Sequence, residues 1–115
     1  MERLNSKKKI AVFISGRGSN LKNLIRHSKT KRSLFKITLV LSNKSNAKGL
    51  RFAKTNKIKN YIYERKLALF EKEALRLIKK NKINIICLAG FMRILSPMFL
   101  KKIKIPVINI HPSLL

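Results

Sequence analysis

The sequence predicts an α/β protein built on an open, mostly parallel sheet with helices on both faces. Two observations carry that reading. Ile10–Ile14 is a short, continuous apolar run and Ile83–Ala89 is apolar but for Asn84, the pattern of strands buried on both sides. Between the strand candidates lie segments with apolar residues at helical spacing, giving four strand-plus-helix units whose helices span about ten to fifteen residues and whose crossovers are right-handed. At 115 residues the chain has the length of one domain, 1–115, with room for a single core and a polar tail over 1–8.

The first strand, Ile10–Ile14, runs into Ser15-Gly16-Arg17-Gly18-Ser19-Asn20, after which Leu21, Leu24 and Ile25 follow at helical spacing. Gly16 and Gly18 permit close backbone approach, and Ser19 or Asn20 can cap a helix whose free N–H groups face an anion. That is a phosphate cradle. It is not a dinucleotide site, because Leu21 stands where the third glycine of GxGxxG would be and Leu41-Ser42-Asn43-Lys44 offers no acid to a ribose. His27 reads as exposed and incidental. Lys36–Leu41 is the second strand, Ala47–Thr55 a short helix weakened by Gly49, and Asn60–Tyr63 a third strand. Leu67, Phe70, Ala74, Leu77 and Ile78 form the apolar stripe of a longer helix, with Glu71 and Glu73 read as solvated charges on it.

The fourth strand, Ile83–Ala89, opens into Gly90-Phe91-Met92-Arg93-Ile94-Leu95-Ser96-Pro97, half apolar and half cationic. Such a loop suits a flat apolar ligand bearing a carboxylate; packing of its apolar residues in a short helix is the plainer alternative. Pro97–Leu100 reads as a helical turn, Lys101–Lys104 leads on, and Val107–His111 is the final strand. Alternation puts Asn109 and His111 on one face of it and Ile108 and Ile110 on the other, and Pro112 stops the ladder. An imidazole that exchanges protons near neutral pH, beside an amide that can hold an oxyanion, makes an acyl-transfer pair; an Asn and a His closing a turn is the plainer reading. In a parallel sheet the glycine loop, the Gly90 loop and the Asn109/His111 strand end face one edge.

Composition narrows the partners. The formal net charge is +24, from 28 Lys and Arg against Glu2, Glu64, Glu71 and Glu73, with no Asp. That balance favours anionic ligands. Nucleic acid is disfavoured, since the bases are spread over the chain without an interleaved aromatic stripe or zinc-finger spacing. One cysteine, Cys87, excludes an internal disulfide and a CxxC metal site and reads as core. No apolar run approaches the roughly 20 residues that span a bilayer, and no signal-peptide core is present, so the expected setting is the cytoplasm without membrane contact.

Three segments, Ile14–Leu21, Leu88–Pro97 and Ile108–Leu115, together resemble phosphoribosylglycinamide formyltransferases in order and spacing. The last of them alone is shared with other folate-dependent formyltransferases. The resemblance implies a Rossmann-like formyltransferase fold, C-terminally incomplete, since it covers the family's N-terminal part. It implies formyl transfer from the co-substrate 10-formyltetrahydrofolate to the amine of glycinamide ribonucleotide, in purine synthesis and without metal. By position, Gly18, Ser19 and Asn20 would hold the ribonucleotide phosphate; Met92, Arg93, Ile94, Leu95 and Asn109 would hold the folate. Asn109 would also bind the formyl oxygen, with His111 the proton donor. The family's aspartate that keeps this histidine protonated has no counterpart here, so a complementing C-terminal polypeptide or a homodimer is the expected partner. A phosphate-binding half of a split enzyme and a basic nucleic-acid-binding domain remain as other readings.

Overall fold

A computed structural model describes residues 7–110. These form, in order, β1 (Lys8–Ile14), α1 (Ser19–Ser28), β2 (Phe35–Ser42), α2 (Gly49–Thr55), β3 (Lys59–Ile62), α3 (Leu67–Lys80), β4 (Ile85–Leu88), α4 (Pro97–Ile103) and β5 (Val107–Asn109). The strands make one sheet in the order β3-β2-β1-β4-β5, every pair parallel. The chain therefore adds strands outward from β1 on one side, then returns to build on the other. The point of reversal, between β1 and β4, is where open α/β sheets leave a crevice at their carboxyl ends.

Alternation along β1 divides the core in two. Ile10, Val12 and Ile14 meet Leu21, Leu24 and Ile25 of α1 and Leu50 and Ala53 of α2 on one face. Ala11 and Phe13 meet Phe70, Ala74, Leu77 and Ile78 of α3 and Phe99 and Ile103 of α4 on the other. Helices thus cover both faces, as the sequence predicts. β2 departs from simple alternation: Ile37 and Val40 share the first face while Leu39 and Leu41 take the second. The cause is a bulge, for Ile10 pairs with Ile37 and Ala11 with Leu39, leaving Thr38 as the extra residue. The Thr38 hydroxyl is buried without a hydrogen-bond partner among the described residues.

Several boundaries differ from expectation. β1 begins at Lys8, two residues before the strand expected from Ile10, and the Lys8 N–H donates to the Leu34 carbonyl. β4 is confined to Ile85–Leu88; Ile83 is buried, but its N–H still donates to Ile78 as the chain leaves α3. α2 and α4 have seven residues each, below the expected helix length, and α4 continues through Lys101 and Lys102 to Ile103. β5 ends at Asn109, one of the sheet's two edges, with Ile108 44% exposed.

Candidate functional site

Three chain segments meet at the carboxyl edge beside the reversal point. The first leaves β1 at Ser15 and turns through Gly16, Arg17 and Gly18 into α1. Gly18 caps that helix with φ +84, and no side chain caps it, so the expectation that Ser19 or Asn20 would do so is corrected. The helix starts at Ser19 itself, which removes Ser19 and Asn20 from the capping position. The N–H groups of Ser19, Asn20 and Leu21 precede the first intrahelical bond, from the Lys22 N–H to the Gly18 carbonyl at 2.8 Å, and Ser19 is exposed with Asn20 half-buried beside it.

Gly18 lies back to back with Gly49, the first residue of α2. A Cβ on Gly18 would come within 2.2 Å of the Gly49 Cα, and the Gly49 N–H donates to the Gly16 carbonyl at 3.1 Å. Gly49, which looks from sequence like a weak point in a helix, is the residue that lets α2 brace the loop.

The second segment leaves β4 through Ala89 and Gly90, the latter with φ +73. Phe91 turns inward, its ring 5.5 Å from that of Phe13 and 5.2 Å from that of Phe70. Met92, Arg93 and Ile94 then stand exposed, Met92 at 79% and Ile94 at 90%, before Leu95 returns to the core. Of the four loop residues that the resemblance assigns to the folate, Met92, Arg93 and Ile94 are exposed, while the Leu95 side chain packs with the Phe13, Phe70 and Phe99 cluster and leaves its backbone on the loop. The loop is irregular and not the short helix of the plainer alternative.

Ser15 ties these segments together. Its buried hydroxyl donates to the Asn43 Oδ1 at 2.6 Å, at the end of β2, and accepts from the Met92 N–H at 2.8 Å. Gly16, Arg17, Gly18, Ser19 and Asn20 face Ala89, Gly90 and Met92 across a cleft of about 380 Å³. A groove of similar volume, about 390 Å³, is lined by Ser45, Asn46 and Ala47 of the loop after β2 and by Lys48, Arg51 and Lys54 at and along α2, and shares no residue with this cleft.

The third segment is the end of β5. Asn109 pairs in register with Leu88, one residue before the cleft wall at Ala89, and is exposed. His111 lies outside the described residues. His27 is exposed in the last turn of α1, at the end of that helix opposite the glycine loop. Cys87 is 4% exposed, and burial pushes its thiol up to about 11, so it is protonated and inert as a nucleophile at neutral pH.

The described acids are Glu64, Glu71 and Glu73; from Lys7 to Tyr63 there is none. Glu71 is corrected from a solvated charge to a buried one, 8% exposed, accepting from the Ser96 N–H and hydroxyl. Its position could have been noticed, since Glu71 falls on the same stripe as Leu67, Phe70, Ala74 and Ile78. Glu73 pairs with Arg76 at 2.9 Å on the surface, as expected of a solvated charge, and the pairing raises the arginine.

Residues 8–115 match the formyl transferase family. The chain belongs to that family. It is 43% identical over 114 residues to the trifunctional purine biosynthetic protein adenosine-3 of Gallus gallus, and 40% identical to that of Homo sapiens. These alignments cover 96% and 95% of the chain but 11% of each relative. Among solved structures it superposes on the phosphoribosylglycinamide formyltransferase of Brucella melitensis with a TM-score of 0.87 and 35% identity, over 93% of this chain and 58% of that one. That of Campylobacter jejuni gives 0.79 at 38% identity, over 93% and 59%. The chain therefore spans little more than half of the formyltransferases whose fold it shares.

Proposed function

We propose that this formyl transferase chain serves transfer of a formyl group from 10-formyltetrahydrofolate to the amine of glycinamide ribonucleotide, in cytoplasmic purine synthesis. The observation that carries the reading is the cleft in which Gly18, Ser19 and Asn20 face Met92 at the edge where β5 delivers Asn109. Its likeness to a phosphoribosylglycinamide formyltransferase and to trifunctional purine biosynthetic proteins supports the same activity.

In this reading the phosphate rests on the N-terminal N–H groups of α1, and Arg17, exposed on the loop, adds charge. The pterin and benzoate portions of the folate lie along Met92 and Ile94 with Arg93 toward its carboxylates, while Leu95 acts as the footing of that loop. The amine attacks the formyl carbon and the Asn109 amide donates to the oxyanion that forms; the amine gives up a proton to water, the bond from that carbon to the folate nitrogen breaks as the adduct collapses, and His111 supplies the proton the departing nitrogen takes up. No metal enters the scheme. With no Asp in the sequence, an aspartate partner for His111 would come from a longer or a complementing polypeptide.

The test is formyl transfer by the chain, alone and mixed with the C-terminal part of a family member, monitored through the absorbance of released tetrahydrofolate. Asn109→Ala is expected to lower turnover by about 10²–10³-fold in whichever preparation is active, with ribose 5-phosphate binding unchanged. Turnover indifferent to Asn109 sinks the reading.

A further inference from the structure

The Phe91–Leu95 loop is irregular backbone that is nevertheless fastened at both ends. The Met92 N–H donates to the Ser15 hydroxyl at 2.8 Å, and the Ser96 N–H donates to the Glu71 Oε2 at 2.7 Å. Between Phe91 and Leu95, no N–H donates to a backbone carbonyl among the described residues. Two buried side chains therefore replace the hydrogen-bond ladder that would fix a strand or helix.

Glu71 is the costlier of the two. A carboxylate taken out of water needs strong compensation, and among the described residues Glu71 makes no ion pair. Its partners both belong to Ser96: the N–H, and the hydroxyl that donates to Oε1 at 2.7 Å. Capping of α4 does not require it, because the Ser96 hydroxyl itself accepts from the Phe99 N–H at 3.1 Å and Pro97 occupies the first helical position. What the carboxylate adds is a grip on the first backbone N–H after the loop. That grip comes from α3, which packs Phe70, one residue before Glu71, against Phe91 at the other end of the loop.

We propose that Glu71 is a positioning residue for the folate-binding loop: it anchors the exit of Met92–Leu95 to α3, as Ser15 anchors the entry to β1, so that Met92, Arg93 and Ile94 are presented to the ligand already ordered. The proposal rests on the folate reading given above. It distinguishes Glu71 from Ser15, because Ser15 also adjoins Gly16 and the phosphate cradle whereas both hydrogen bonds of Glu71 among the described residues go to Ser96, at the exit of the folate loop.

The full chain is tested with tetrahydrofolate and ribose 5-phosphate as separate probes, together with hydrogen exchange of residues 91–96 without ligand. Glu71→Ala is expected to raise exchange across 92–96 and to weaken tetrahydrofolate binding about tenfold, the cost of ordering the loop on binding, while ribose 5-phosphate binding stays within about twofold. Glu71→Gln keeps an oxygen to accept the Ser96 N–H and is expected to restore most of the folate affinity. If the alanine variant does not fold, Glu71→Leu fills the same space without an acceptor and carries the same expectation. Unchanged exchange or unchanged tetrahydrofolate affinity in these variants overturns the proposal, as does equal weakening of both probes, which marks a purely structural role. Wild-type chain that binds ribose 5-phosphate but not tetrahydrofolate overturns the folate reading itself.

Discussion

Replacing Gly18 by alanine should be the most damaging single-methyl addition at the site, and its cost can be worked from the backbone. At φ +84 an L residue pays roughly 1–2 kcal/mol. The new Cβ would also lie 2.2 Å from the Gly49 Cα, whereas ordinary contact begins near 3.4 Å, so the loop and α2 must separate by more than an ångström. The obstacle is backbone on both sides, and overpacking of this kind costs about 1–3 kcal/mol more. The sum, about 2–5 kcal/mol, is a large part of the 5–15 kcal/mol typical of a domain. Urea unfolding followed by far-UV circular dichroism should show the midpoint lowered by about 1–3 M, for a slope of about 1.5 kcal/mol/M. Two glycines calibrate the measurement. Gly90 has φ +73 but open space around its Cβ position, so Gly90→Ala should lose only the roughly 1–2 kcal/mol of the backbone term. Gly16 has neither a positive φ nor a neighbour within 4 Å, and Gly16→Ala should fall within about 0.5 kcal/mol of wild type. Gly49→Ala opens the same contact from the other side, so the Gly18/Gly49 double variant should cost less than the sum of the singles. A Gly18→Ala chain no less stable than Gly90→Ala would refute the argument that the two glycines form a rigid backbone contact.

Thr38→Val removes a buried hydroxyl without a partner and keeps the β-branched shape at the bulge; thermal or urea unfolding should show a gain of roughly 1 kcal/mol. Cys87 sets a pH dependence of definite sign. Its thiol is held at about 11 in the folded chain against 9.0 ordinarily, so the unfolded chain releases its proton first and stability falls as pH rises from 9 towards 11. Urea midpoints at pH 8 and pH 10.5 should therefore drop further for wild type than for Cys87→Ala, which shares every other titrating group.

The strands and the faces they bury were legible because both obey local rules. Apolar runs gave β1 and β4, and the stripe from Leu67 to Ile78 gave α3 and its apolar buried residues, with Glu71 the one buried residue read as solvated. What escaped the sequence depends on pairs distant in the chain. Gly18 and Gly49 explain one another only once α1 and α2 are packed on the same face of the sheet. Glu71 and Ser96 meet because α3 and the start of α4 share the opposite face, although the stripe already placed Glu71 on the buried side. The bulge at Thr38 is invisible because Ile37, Leu39 and Leu41 alternate faultlessly in sequence; only the register against β1 shows that Ile37 has changed face. Met92, Ile94 and Leu95 are alike in sequence, and nothing local marks Leu95 as the one whose side chain turns back into the core. At the site itself, the glycine loop and the Gly90 loop could be assigned to one edge from strand order, whereas Ser15, the side chain that joins them, reads in sequence as one more small polar residue.

The sheet order has a consequence for how the chain is made. β1 is the first strand to be synthesised and also the central one, so each later strand is laid on an edge that already exists and no pair must reopen to admit another. Assembly can keep pace with translation. Yet after β3 is complete at Ile62, the 22 residues up to Ile85 have still to be added before β4 can pair, about 1–4 s at ordinary elongation rates. During that interval the Ile10-Ala11-Val12-Phe13 edge of β1, which in the finished fold pairs with Ile85–Leu88, has nothing beside it. The most deeply buried strand of the native protein is thus the most exposed template of the nascent one, and the ribosome-bound chain should be most vulnerable to aggregation, and most in need of a chaperone, while α3 is emerging.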